Sequence, residues 1–252
     1  MKLLIILSKE LKINFKSPTI YLLTAGYSLI SGWIFFNLLV SYVENTQHLV
    51  QSSQAQIAFL DSVVLKLFGN LNFLFLFTLP LLVMKSFSDE IKNQTIYHYK
   101  LAGISELELI VAKFTAQMIN ILFMLAPTLI FIYVLSFANL KEYALVFTGF
   151  FGLFLTSLSY ISMGLFFSSL TSNVIMSASY TLFSILSLWL LSWGSQISTN
   201  YLISQNLKYM SIVSHFENMA RGTIHLQDII YFFTFILFFL FLTNKSIKTR
   251  FL

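Results

Sequence analysis

The polar and hydrophobic positions of this chain segregate into long blocks instead of alternating. Six apolar runs stand at 19–43, 65–87, 109–137, 144–170, 174–193 and 229–243, separated by shorter polar stretches. A helix needs about 20 mostly apolar residues to cross the hydrocarbon core of a bilayer. Five of the runs reach that length. The sixth approaches it once Leu226 and the interfacial Gln227 and Asp228 are counted as its start. Membrane β-strands would show alternation with period two, and the runs are continuous. The pattern predicts an all-α integral membrane protein of six transmembrane helices, forming a single membrane domain over 1–252.

The segment before the first run has a different period. At 100° per residue, Lys2, Lys9, Lys12 and Lys16 fall within a sector of roughly 80°. Leu3, Leu4, Leu7, Leu11 and Phe15 fill the opposite side. This predicts an amphipathic helix in the plane of the headgroups, its lysines toward anionic lipid and its apolar side in the acyl boundary. Pro18 ends it, because the residue before a proline is pushed out of helical geometry, and a tight elbow into the first span is expected. The apolar stretch 3–7 is too short for the core of a cleavable signal. The first span is therefore expected to act as its own insertion signal.

Composition agrees with lipid as the main solvent. The chain is 57% hydrophobic and 10% charged, against roughly 25% charged in soluble domains. The absence of cysteine removes disulfides, thiol chemistry and Cys-based zinc sites. The net charge of +5 is spread beside the spans, which suits membrane orientation better than a nucleic-acid partner. With the N-terminus inside, Lys2, Lys9, Lys12, Lys16, Lys85, Lys92, Lys100, Lys113, Lys245, Lys248 and Arg250 lie on the cytoplasmic side. Only Lys66, Lys141, Lys208 and Arg221 lie outside. That bias places both termini in the cytoplasm, and the loop 44–64, polar but nearly uncharged, outside.

The polar positions then narrow the chemistry. Between the second and third spans stand Lys85, Asp89, Glu90, Lys92, Lys100, Glu106, Glu108 and Lys113, eight of the 25 charged residues. This predicts a charged helix lying parallel to the membrane, with Gly103 marking a turn; it serves either to dock a cytoplasmic partner or simply as a solvated connector. The spans hold few ionisable residues, Lys66, Lys85 and Lys113 standing near their ends, which argues against a proton-coupled transporter. The four histidines, His48, His98, His215 and His225, are dispersed outside the spans, which speaks against an intramembrane protease or acyltransferase. His215, Glu217 and His225 lack a fourth ligand and a metal-site spacing, so no metal is expected. Thr148, Gly152, Thr156, Gly164 and Ser168 form a small-residue stripe suited to close helix packing. Ser177, Thr181 and Ser184 suit packing or a polar route. Trp189 and Trp193 are read as interfacial anchors, and Pro80 and Pro127 as kinks. The tripeptides at 93–95 and 244–246 fit the glycosylation pattern but fall on the expected cytoplasmic side.

Four strings, read in chain order, carry a family resemblance: KELKINFKSPTIYL at 9–22, LPLLVMKSFSDEIKNQT at 79–95, GLFFSSLTSNVIMSA at 164–178 and SHFENMARGTIHLQDIIYF at 214–232. Together they resemble the membrane (permease) subunit of ATP-binding-cassette (ABC) exporters of the type-2 permease class. They are most similar to the permeases of gliding-motility and copper-enzyme-maturation transporters. The resemblance implies a bacterial inner-membrane protein that pairs with a second permease, identical or homologous. It further implies that a coupling helix after the second span docks on a separate cytoplasmic ATPase, with Asp89, Glu90, Lys92, Gln94, Thr95 and Tyr97 as the contact residues. The family usually has Gly-Thr where this chain has Gln94-Thr95, leucines where it has Tyr99 and Lys100, and Pro where it has Gly103. The region 194–226 corresponds to short helices that dip back into the membrane from outside. No G-x-x-x-x-G-K-[ST] loop occurs, so ATP, the only cofactor implied, is expected on the partner. Two other readings stand beside this one: the intramembrane enzyme, and a non-transporting structural component of a larger membrane complex.

Overall fold

The computed structural model describes residues 2–46, 60–136, 143–198 and 200–251, which are helical almost throughout, with no strand among them. Most of the expected outer loop 44–64, together with His48 and Lys141, lies outside the described residues. The helices are α1 (Lys2–Lys16), α2 (Pro18–Thr46), α3 (Lys66–Val83, preceded by a π-helical turn at Leu60–Leu65), α4 (Lys85–Lys92), α5 (Ile96–Leu101) and α6 (Glu106–Leu125). They continue as α7 (Thr128–Ser136), α8 (Tyr143–Leu170), α9 (Val174–Ile197), α10 (Tyr201–Met210), α11 (Ile212–Ala220) and α12 (Leu226–Phe251). Among the described residues, six segments are long and apolar enough to cross a membrane: Pro18–Glu44, Val63–Lys92, Glu106–Leu125, Leu145–Leu170, Val174–Ile197 and Leu226–Arg250.

The boundaries differ from the sequence pattern in two places, both with a local cause. The run 109–137 divides: α6 stops at Leu125, and α7 restarts at Thr128. Pro127 has no N–H to continue the ladder, and the chain crosses the break through tight turns, Ala126 N–H donating to Phe123 and Leu129 N–H to Ala126. Pro80, by contrast, stays inside α3. The second span then runs past its apolar limit, because Met84 between α3 and α4 keeps helical dihedrals and its N–H donates to the Pro80 carbonyl. The first charged stretch after the span therefore continues that span as α4.

The centre of the bundle is α8. About 72% of its span window is buried, against 17–22% for the spans formed by α2, α9 and α12, so it is the helix surrounded by the others. It packs against α3, α4, α6, α9, α11 and α12. A helix so enclosed needs small residues where backbones approach. A Cβ at Gly152 would lie 2.9 Å from the Met219 Cβ of α11, and one at Gly164 3.2 Å from the Val83 Cβ of α3. Its buried hydroxyls bond within the helix: Thr156 donates to Gly152, Ser159 to Leu155 and Ser162 to Ser159. In the stripe, Gly152 and Gly164 are thereby close-packing positions, and the Thr148 and Thr156 hydroxyls bond within the helix. At the end of α8, Arg250 of α12 donates to the Ser169 and Leu170 carbonyls at 2.9 and 2.6 Å, filling acceptors that a helix C-terminus leaves open.

Gly152→Val drives a methyl group into Met219 Cβ, an atom that no rotamer can move aside. We expect a loss of about 1–3 kcal/mol, read as a lower midpoint of thermal unfolding in detergent. Gly69→Ala, where no atom lies within 4 Å of the added Cβ, should leave that midpoint unchanged or raise it.

Candidate functional site: a buried charge network at the root of the connector

Lys113 stands roughly two turns into α6, within the span Glu106–Leu125, and is only 2% exposed. The expectation that the spans carry no charge away from their ends is thus corrected. A buried ammonium is tolerated only when it is paired and hydrogen-bonded. Two carboxylates reach it from other elements: Glu10 of α1 at 3.0 Å and Glu90 of α4 at 3.1 Å. The ring of Phe87 lies 5.2 Å from the same nitrogen. Lys9 joins at the rim, 3.6 Å from Glu90 and 3.9 Å from Glu10, which leaves two cations and two anions in the cluster. Tyr99 of α5 donates to Glu90 at 2.8 Å and accepts from Lys9. Burial, and then the neighbouring Glu90 carboxylate, hold the Tyr99 hydroxyl well above the usual phenol range.

The network gathers four separate pieces of chain. Helix α1 lies along α6 with Ile6 and Glu10 buried, while Phe15 and Tyr21 set their rings edge-on to Phe123 at 5.4 and 6.1 Å. Leu4, Ile5 and Ile13 are exposed. The expected division into a lysine side and a leucine side therefore holds only in part. Lys2 donates to the Gly103 carbonyl at 2.6 Å and Lys9 turns to Glu90 and Tyr99, whereas Lys12 and Lys16 are exposed. Deeper in, Gln117 donates to Ser86, and Asn120 to Gln117. A cavity of about 330 Å³ opens beside these groups, between α1, α2, α3, α4 and α6. A second clasp fixes α4 from the other side. The Ser168 hydroxyl of α8 accepts from the Phe87 and Ser88 N–H groups at 2.9 and 3.1 Å and donates to the Met84 carbonyl at 3.2 Å. It thus spans the joint between α3 and α4.

The residues expected to meet an ATPase divide into two sets. Glu90 points inward to Lys113 and Tyr99. Asp89 is half-buried, whereas Lys92, Gln94, Thr95 and Tyr97 are exposed along the end of α4, the following turn and the start of α5. The turn is left-handed at Gln94, with φ +56°, and Gly103 closes the connector at φ +64°. A left-handed position is costly for a side chain with a Cβ. A proline, whose ring fixes φ near −65°, could not stand at Gly103. After the turn, Ser105 and Glu108 form a capping box that starts α6.

At the opposite end of the bundle, α10 and α11 fold into the region 194–226. His215, buried in α11, lies 2.6 Å from Asp228 through Nδ1 and 3.0 Å from the Tyr209 carbonyl through Nε2. Asp228 is buried in α12 instead of marking an interface. Glu217 and His225 are exposed, and no group of three or more metal-ligating side chains occurs among the described residues. Both ring nitrogens of His215 are engaged, leaving none free to act as a general base. Trp193 is exposed, while Trp189 turns toward Phe73, with ring centres 5.5 Å apart. Comparison with known protein families, curated proteins and solved structures finds no match.

Lys113→Met removes the buried cation that Glu10 and Glu90 share and leaves them only the exposed Lys9, and we expect a loss of about 3–5 kcal/mol. The triple variant Lys113→Met, Glu10→Gln, Glu90→Gln should recover most of the thermal midpoint, because the only charge left without a partner, Lys9, is exposed to solvent. Gln94→Gly relieves the left-handed strain and should raise stability by about 1 kcal/mol, measured by the same unfolding assay.

Proposed function

We propose that the chain is the membrane subunit of an ABC exporter of the type-2 permease class. Two such subunits, identical or homologous, form the path, and a separate cytoplasmic ATPase supplies the energy. The observation that carries this reading is the construction of the connector. Helix α4 prolongs the second span as one rigid element, is tied by Glu90 to Lys113 and by Ser168 to the central helix, and displays Lys92, Gln94, Thr95 and Tyr97 outward. A surface mounted in this way transmits a push from a docked protein into α3, α6 and α8 together; a loosely solvated loop would absorb it. Glu90 then acts as a positioning residue, and the exposed set makes the contact. On this reading the connector and both termini face the cytoplasm, which the lysine bias supports, and the bacterial inner membrane follows from the resemblance. Helix α1 then lies along the inner leaflet with Lys12 and Lys16 toward anionic headgroups.

The test is purification from the native membrane in mild detergent. A stoichiometric ATPase subunit should co-elute. Lys92→Glu combined with Tyr97→Ala should remove it while the thermal midpoint stays within about 0.5 kcal/mol of the parent, as expected for exposed positions. Elution of the chain alone, under conditions that keep other membrane complexes intact, contradicts the proposal.

A further inference from the structure

The buried pair at the opposite end of the bundle has a proton count that its geometry fixes. His215 has two ring nitrogens, and each faces an oxygen: the Asp228 carboxylate at 2.6 Å and the Tyr209 carbonyl at 3.0 Å. A carbonyl oxygen only accepts, so Nε2 must carry hydrogen. The Asp228 oxygen and Nδ1 then need one further proton between them. Asp228 cannot meet this need elsewhere, because its other neighbour, the Asn218 amide, donates to both carboxylate oxygens at 3.3 Å. A third feature favours placing that proton on the ring. The imidazole lies nearly flat on Tyr231, with centroids 4.0 Å apart and 22° between planes, and an aromatic face attracts a cation.

We propose that His215 and Asp228 form a proton-binding site whose bound proton holds the short helices α10 and α11 against α12. The titratable groups facing it are Tyr209 from α10, Asp228 and Tyr231 from α12, and Tyr160 of α8, which interacts with Tyr231. Glu217 of α11, Arg221 just after it, Lys208 of α10 and His225 just before α12 are exposed. Loss of the proton leaves either the Tyr209 carbonyl or the Asp228 carboxylate without a donor inside the protein, a costly state that water relieves. The junction between α10 and α11 therefore loosens as pH rises. Tyr231 reinforces the same junction, its hydroxyl donating to the Met210 carbonyl at 2.8 Å. The site is independent of the transporter reading and stands or falls without it.

The chain has no cysteine, so a single introduced thiol reports cleanly. Ser211→Cys places it at the junction, fully buried, and Asn206→Cys places an exposed reference on α10. The ratio of their labelling rates by a maleimide, in the full chain reconstituted in detergent, cancels the pH dependence of the thiol itself. Between about pH 5 and about pH 8, the range in which histidine changes charge, that ratio should rise about tenfold or more. Asp228→Asn removes the need for the extra proton, because a neutral ring can then accept from the new amide through Nδ1 and donate through Nε2. In that background the ratio should stay low and flat. A flat ratio in the parent overturns the proposal, as does an equal rise in Asp228→Asn. If Asp228→Asn labels fast at every pH, ring 15N spectra of histidine-labelled parent protein decide. Two bonded N–H signals for His215 at neutral pH support the site, and a neutral tautomer overturns it.

Discussion

One buried ammonium organises the connector end of this molecule. Lys113 lies inside an apolar helix with 2% of its surface exposed, where a lone cation would cost several kcal/mol. Its two carboxylate partners sit on separate chain segments, Glu10 on α1 and Glu90 on α4, so satisfying Lys113 means bringing both helices to α6. Once they are there, Lys9 and Tyr99 complete the rim and Lys2 closes on Gly103. The N-terminal helix is thereby a structural part of the connector's mount, beyond any role it has at the lipid surface.

The second constraint is the crowding around α8. Glycines at 152 and 164 let Met219 and Val83 approach to within 2.9 and 3.2 Å of where a Cβ would stand, and Thr156, Ser159 and Ser162 bond back to their own helix. Ser168 does not. Its hydroxyl leaves its own helix to bind the backbone of α4 across the joint at Met84. The connector is consequently held at two points on opposite sides, the charge network and this hydroxyl, and motion at its exposed tip is shared with both α6 and α8.

The spans were legible because lipid imposes a length and a polarity that few other environments demand, and the extension of the last span through Asp228 was legible for the same reason. Charge partners were harder to read. Helical periodicity in α1 drew attention to its lysines, whereas the residue it buries is Glu10, a single acid among them. Lys113 reads in the sequence as one of the connector's charges near a span end. The signal available there is its place within the apolar run 109–137, which makes a counter-charge obligatory without saying where along the chain it lies. Likewise Asp228 looked interfacial until α11 was placed against α12. Pro80 and Pro127 look alike in sequence, yet one is absorbed within α3 and the other divides a run. The left-handed turn at Gln94 left no compositional mark at all.

The claim that Lys113 fixes the connector against the N-terminal helix is tested most directly by a distance. Spin labels on Lys12→Cys of α1 and Thr95→Cys of the connector turn, both exposed positions in an otherwise cysteine-free chain, report their separation by double electron–electron resonance. The parent should give one narrow distribution, and Lys113→Met should broaden or split it, since both carboxylates lose their shared anchor. A distribution in Lys113→Met as narrow as the parent's, and at the same distance, would contradict the account.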